Sequence, residues 1–293
     1  MAERDAFSVF RARLDALGFH PSSALGQNFL LDPSLHRWIA ERAAPTAADT
    51  VVEIGVGLGF LTRELAARAG RVVAVEIDSR LFALARADLA DLANLDWVHG
   101  DALAGPGRSL HPAIAAAAPT AAGGELLVVA NLPYAVSGPL LAELMALPRV
   151  PKRCVLLVQK ELAQRVAAPC GASDYGGLSA SVQALFTARS LRDVPAQVFR
   201  PRPKVTSAIL ELSRRDDAPL VAAPAAERRG FAGFVRQLFQ QRRKALRTTL
   251  PAAAAAVGCA PPALPAEVLA ARAEAIAPDT LVQWWQRMQA PPA

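Results

Sequence analysis

The stretch VVEIGVGLGFLTREL, Val51–Leu65, decides the fold. It begins as an apolar strand, ends as a helix, and places glycines at 55, 57 and 59 in the turn between them. Glycine lets a backbone approach a ligand closely, and the first turn of the following helix offers N–H groups without partners. A tight strand-to-helix turn also uses glycine for purely structural reasons, so the turn alone does not establish a ligand.

Outward from this stretch, short apolar runs alternate with helical segments. TVVEIGV, RVVAVEID, LDWVHGD, LLVVANLP, RCVLLVQKE and SAILEL read as strands. The alternation predicts βαβ units, hence an α/β fold with a mostly parallel sheet and helices on both faces. SAILEL follows an extended segment, VPAQVFRPRPKV, and is expected as an antiparallel strand near the end of the sheet. Upstream, Phe7, Phe10, Leu14 and Leu17 recur at helical spacing, and Asp32 before Pro33 marks a helix start.

Composition changes after Leu212. SRRDDAPLVAAPAAERR reads as a linker. FAGFVRQLFQQRRKALRTTL reads as one amphipathic helix, with Phe231, Phe234, Val235, Leu238, Phe239, Leu246 and Leu250 on one side. The remainder reads as short helices broken by proline. Two domains are expected, residues 1–213 around the sheet and a smaller, all-α 214–293.

The 293 residues are 53% hydrophobic and carry a formal charge of +6, which suits a polyanionic partner without requiring one. Three cysteines form no C-x-x-C pair, and the four histidines have no metal-ligand spacing. A reducing compartment is expected, with no disulfide framework and no metal. No signal peptide or membrane-spanning run is apparent, so the chain is expected to be soluble and cytoplasmic.

Two acids stand at the ends of the next strands. Glu76 ends RVVAVEID, where a carboxylate can accept from both hydroxyls of a ribose. Asp101 ends LDWVHGD, within reach of the same crevice. Each acid by itself is an ordinary helix cap or loop residue; three such features at successive strand ends point to a nucleoside-bearing cofactor. The dinucleotide spacing G-x-G-x-x-G is not met. The pattern E-x-G-x-G-x-G from Glu53 instead resembles the first motif of S-adenosylmethionine-dependent methyltransferases with a Rossmann-like sheet.

LLVVANLPY, Leu126–Tyr134, runs a strand straight into proline and an aromatic. Asn131-Leu132-Pro133-Tyr134 resembles the (N/D/S)-P-P-(Y/F) motifs of enzymes that methylate exocyclic amines. The amine of adenine is a poor nucleophile because its lone pair is delocalised into the ring. The Asn131 side-chain carbonyl and the Leu132 backbone carbonyl, held by Pro133, can accept from its N–H groups, and Tyr134 can stack on the base. Asn131 as a plain helix cap, with Tyr134 packed in the core, is the alternative. Phe199 is the candidate for the base's other face, with Arg200, Arg202 and Lys204 beside it to meet phosphate; a merely buried Phe199 is the alternative there. On the helix from Phe231, Arg236, Gln240, Arg243 and Arg247 fall on one stripe that can face RNA phosphate or simply water.

GQNFLLD, VVEIGVGLGFLT, VVAVEID, GDAL, NLPY, YGGLSASVQ, VFRPRPKVTSAIL and RRKALRTTL occur in the order found in the ribosomal RNA small-subunit adenine dimethyltransferases, and the chain resembles that family from about Gly26 to Leu250. The resemblance implies a class I methyltransferase sheet of seven strands. It also implies dimethylation of two adjacent adenosines near the 3′ end of 16S rRNA, in an assembly intermediate of the small subunit; the protein is expected to act as a monomer. By motif, Asn28, Leu30, Gly55, Gly57, Glu76, Asp101 and Asn131 would form the S-adenosylmethionine site, with Asp101 at the adenine amine and Glu76 at the ribose. Val56 stands where the family often has proline, VPAQVF lacks a second proline, and the tract between Asp101 and Leu126 is long. Methylation of large-subunit RNA, a non-catalytic nucleic-acid-binding role and an NAD oxidoreductase are the rival readings.

Overall fold

A computed structural model describes residues 26–289, together with Leu14, Gly18, Phe19 and Pro21. Of the helix expected over Phe7, Phe10, Leu14 and Leu17, all but Leu14 lies outside the described residues. The chain divides into two compact units: one takes in the residues up to Leu140, Pro151–Lys160 and Leu191–Glu211, the other Leu141–Val150, Glu161–Ser190 and the chain from Leu212 on. The helical unit therefore also takes in two segments from within residues 1–213.

The elements begin with β1 (Phe29–Leu30), α1 (Pro33–Ala43), β2 (Thr50–Ile54), α2 (Phe60–Ala66), β3 (Arg71–Glu76), α3 (Ser79–Asp88) and β4 (Leu95–His99). They continue with α4 (Pro112–Ala115), β5 (Leu126–Asn131), α5 (Ser137–Leu144), β6 (Arg153–Gln159), α6 (Lys160–Ala167), α7 (Gly177–Gln183), β7 (Phe186–Val194), β8 (Phe199–Arg200) and β9 (Ser207–Arg214). Helices α8 (Pro219–Ala222), α9 (Ala225–Leu238), α10 (Leu246–Ala255), α11 (Ala266–Ala270) and α12 (Pro278–Gln289) complete the described chain.

Seven strands form one sheet in the order β4-β3-β2-β5-β6-β9-β7. The four pairs from β4 to β6 are parallel. From β2 the chain first builds outward to β3 and β4, then returns to lay β5 on β2's other side. That reversal opens a crevice at the carboxyl ends of β2 and β5, where ligands bind in open α/β sheets. The sheet is the Rossmann-like one that the alternation and the family resemblance imply.

Parallel strands covered on both faces read as continuous apolar runs, and β2 is buried along all five residues. Val51, Val72, Val129, Val155 and Ile209 pack with Leu35 and Ile39 of α1 and Leu61 and Leu65 of α2. Asp32 caps α1 as expected, its carboxylate accepting from the Ser34 and Leu35 N–H groups at 2.9 and 3.2 Å, with Pro33 in the first turn. Strand β7 has no counterpart among the strands expected from the sequence. FTARSLRDV is mostly polar and half-exposed because it lies at the sheet's edge, where there is little to bury.

In the helical unit, Phe231 and Phe234 of α9 pack against Trp285 with ring centroids 6.3 and 6.1 Å apart. The buried Arg228 donates to the carbonyls of Met145, Ala223 and Leu147. The single helix expected over FAGFVRQLFQQRRKALRTTL is in fact two. Helix α9 ends at Leu238, and α10 starts only at Leu246. Between Phe239 and Leu246 only Ala245 is apolar, so nothing there holds a helical face to the core. The Leu246 N–H instead donates to the Ala271 carbonyl at 2.8 Å. The cation stripe drawn on one helix is thereby broken: Arg236 lies on α9, Arg243 in the connection and Arg247 on α10. The expected linker is also shorter than read, since Ser213 and Arg214 extend β9 and α8 follows.

Candidate active site

The turn after β2 needs its glycines. Gly55 and Gly57 have φ of +82° and +55°, where a side chain is strained. The Gly57 N–H donates to Glu76 Oε2 at 2.7 Å, and the other oxygen of Glu76 accepts from the Asp78 N–H at 2.9 Å. Asp78 caps α3 and also accepts from Gln27 Nε2 at 3.2 Å. The acid at the end of β3 thus holds the glycine turn, and the segment before β1 is tied to the same cluster.

Asn131 ends β5 beside that turn. Its Nδ2 donates to the Asn28 carbonyl at 3.0 Å, and Asn28 Nδ2 donates to the Gly26 carbonyl at 3.1 Å. With Nδ2 committed, the Asn131 side chain offers Oδ1 as an acceptor. The Leu132 N–H donates to Leu157 of β6 at 3.0 Å, and the Pro133 carbonyl accepts from the Val136 N–H and the Ser137 hydroxyl. The main chain of the tetrapeptide is therefore fixed. Tyr134, half-buried, shares a 2.6 Å hydrogen bond with the Ser207 hydroxyl.

These groups surround a cavity of about 830 Å³, counting its open mouth, lined among others by Asn28, Leu30, Gly55, Gly57, Glu76 and the Asn131–Tyr134 stretch. Asp101 is not on its wall. It lines an adjoining cavity of about 700 Å³ that shares Gly55, Ile77 and Pro133 with the first, and its Oδ1 accepts from the Leu103 N–H. Together the two have room for a ligand the size of a nucleoside with a short side arm.

Phe199 is not at either cavity. Its ring is 0% exposed and belongs to the core around Leu30, Leu35 and Ile39, with β8 paired to β1 at Leu30. The stacking face expected of it is not available in this arrangement, and the buried alternative describes what is seen. Arg200 is also occupied, its Nη1 donating to the Gln197 and Phe199 carbonyls. Arg202 and Lys204 are exposed, as are Arg236, Arg243 and Arg247 of the helical unit. Among the described residues, no His, Cys, Asp and Glu side chains group to hold a metal ion, and no helix is long and apolar enough to cross a membrane.

Glu53, His36 and Ile77 are among the cavity residues to which the sequence reading gave no role. Glu53 opens the E-x-G-x-G-x-G pattern, yet as the one acid within an apolar strand it carried its own signal. It is 1% exposed, and its Oε2 finds no hydrogen-bond partner among the described residues. Burial pushes its carboxyl up to about 8, with the Thr62 hydroxyl pulling the other way and the Glu76 carboxylate adding to the rise. Glu76 is itself raised by burial, partly offset by the N–H groups of Asp78 and Gly57. His36 lies on the buried side of α1, and burial lowers it to about 4, so the imidazole is neutral near pH 7. Ile77, directly after Glu76, remains 45% exposed at the rim shared by both cavities.

The glycine turn and the Asn131–Tyr134 stretch therefore open on one cavity at the sheet's switch point. A family model described as "Ribosomal RNA adenine dimethylase" matches residues 18–256. The chain belongs to the ribosomal RNA adenine dimethylase family. Within this family, ribosomal RNA small subunit methyltransferase A of Geobacillus thermodenitrificans is 40% identical over 234 residues, 80% of this chain and 77% of that one. The solved 23S rRNA methyltransferase ErmE superposes with a TM-score of 0.61 at 26% identity, covering 90% of this chain and all of that one. A dimethyladenosine transferase from Plasmodium falciparum has the same fold, with a TM-score of 0.68 at 23% identity over 86% of this chain and 94% of that one.

Proposed function

We propose that this family member transfers two methyl groups from S-adenosylmethionine to the N6 amine of each of two adjacent adenosines near the 3′ end of 16S rRNA, during small-subunit assembly, as a single cytoplasmic chain. What carries the reading is that the Asn131 side chain and the glycine turn of Gly55 and Gly57 face the same cavity.

The residues present suit a nucleoside-bearing methyl donor. Two buried carboxyl groups, Glu53 and Glu76, line the cavity, and Glu53 Oε2 has no hydrogen-bond partner among the described residues, so a polar hydrogen-bonding group of a ligand would satisfy it. Asn28, Leu30, Gly55, Gly57 and Glu76 would hold the donor, and Asp101 in the adjoining cavity would meet its adenine. When bound, the donor supplies an electrophilic methyl group on sulfur. Asn131 Oδ1 and the Leu132 carbonyl accept from the target amine and turn its lone pair out of the ring, while Tyr134 holds the base by stacking. Catalysis then comes from orientation and fixed dipoles rather than from a strong base, since the methylated nitrogen is acidic enough to lose its proton afterwards. Arg202, Lys204, Arg236, Arg243 and Arg247 are exposed and can meet phosphate; Arg200 is already engaged.

The test is mass spectrometry of unmethylated small and large subunits after incubation with the protein and labelled donor. Label on two adjacent adenosines of 16S rRNA, lost in Asn131→Ala, is expected. Label in 23S rRNA alone, or none in either, would overturn the reading.

A further inference from the structure

We infer that Ser207 is a positioning residue for Tyr134, holding the phenol ring so that its face is presented to the base; this rests on the function proposed above. The two hydroxyls share a 2.6 Å hydrogen bond across 73 positions of sequence. Ser207 is fully buried, whereas Tyr134 is only partly buried and lines the cavity.

The geometry leaves the ring little else to do. The main chain is pinned before Tyr134 through the Leu132 N–H and after it through the Val136 N–H, which donates to the Pro133 carbonyl. The remaining freedom is rotation of the side chain about its own bonds, and the Ser207 bond takes that away. The anchor is itself rigid: Ser207 is the first residue of β9, inside the sheet between β6 and β7, and the carbonyl of the preceding Thr206 accepts from the Lys160 N–H at 3.0 Å. With its hydroxyl engaged and burial raising its pKa, Tyr134 is not a proton acceptor for the amine. What it offers the substrate is a flat apolar face, and a stacking platform works only if its plane is held.

This chain has two tyrosines, which makes a direct test possible. Tyr175 is buried in the helical unit with its hydroxyl donating to the Ile276 carbonyl, and serves as the internal control. Protein labelled with 3-fluorotyrosine gives one fluorine resonance per site, assigned by Tyr134→Phe. In Ser207→Ala the Tyr134 resonance should shift and lose its ordered-state dispersion while that of Tyr175 stays in place. In turnover, Ser207→Ala and Tyr134→Phe should each lower kcat about five- to tenfold, the range a neutral hydrogen bond supports, with the donor's KM within twofold. The double variant should be no slower than either single one, because both remove the same bond, and Ser207→Thr should recover most of the rate. An unmoved Tyr134 resonance in Ser207→Ala, an unchanged kcat, or losses that multiply in the double variant would each overturn the inference. A wild-type protein that methylates no RNA fails the functional reading, and with it the substrate role assigned to the ring. The fluorine spectrum would still report separately on the tether.

Discussion

Replacing Glu53 by glutamine should make the protein increasingly more stable than the wild type as pH rises, although it removes an ionisable group from the cavity wall. Glu53 is the last residue but one of β2, 1% exposed, and burial lifts its carboxyl to about 8 from an ordinary 4.5. Between those values the folded chain keeps a proton that the unfolded chain has already given up. Stability tied to this group is therefore complete below pH 4.5 and declines as pH climbs to about 8. At about 1.4 kcal/mol per pH unit, roughly 3 kcal/mol is lost by pH 7 and roughly 5 kcal/mol above pH 8. That is a large part of the 5–15 kcal/mol typical of a whole domain. Glutamine keeps the shape, cannot ionise, and can donate its amide to the nearby Thr62 hydroxyl. Urea unfolding followed by circular dichroism from pH 5.5 to 9 reads the difference. The Glu53→Gln protein should gain on the wild type by about 1.4 kcal/mol per pH unit up to about 8, then hold a constant lead. His36 works in the opposite sense: lowered to about 4, it gives stability that is full above 6.5 and lost as pH falls towards 4. It is common to both proteins and cancels in the comparison. Parallel stability curves across the whole range would refute the reasoning, because they would mean that Glu53 is ionised in the folded protein at no cost.

Phe199→Ala should destabilise the fold by roughly 3–5 kcal/mol, as expected for a large aromatic removed from a closed core; urea midpoints measure it, and a change confined to turnover would return Phe199 to the substrate. Arg228→Ala strands the buried carbonyls of Met145 and Leu147 and the part-buried one of Ala223 in the helical unit and should cost roughly 3–5 kcal/mol in the same assay. Arg243→Ala with Arg247→Ala should weaken binding to small-subunit RNA at low salt and flatten the log–log salt dependence by about one for each phosphate no longer neutralised; filter binding from 50 to 300 mM KCl reads the slope, and an unaltered slope would remove both residues from the interface.

Local chemistry was enough to read the sheet's inner strands, the glycine turn, the capped start of α1 and the Asn131–Tyr134 stretch. Buried parallel strands must be apolar throughout, backbone at positive φ calls for glycine, and a proline next to an aromatic at a strand's end has few other uses. Those signals lie within a few residues of one another, so no distant partner is needed to interpret them. Tertiary structure decided the rest. Strand β7 is recognisable only beside β9, because an edge strand buries too little to look apolar. The break between α9 and α10 depends on the Ala271 carbonyl taking the Leu246 N–H. Phe199 read as the stacking face for the target base, with burial as the alternative, until its ring was found against Leu30 and Ile39. Glu53 became a protonated acid, and Ser207 a tether, only once residues 23 and 73 positions away closed over them. Burial and pairing across such separations belong to the folded chain as a whole, and periodicity along the sequence does not carry them.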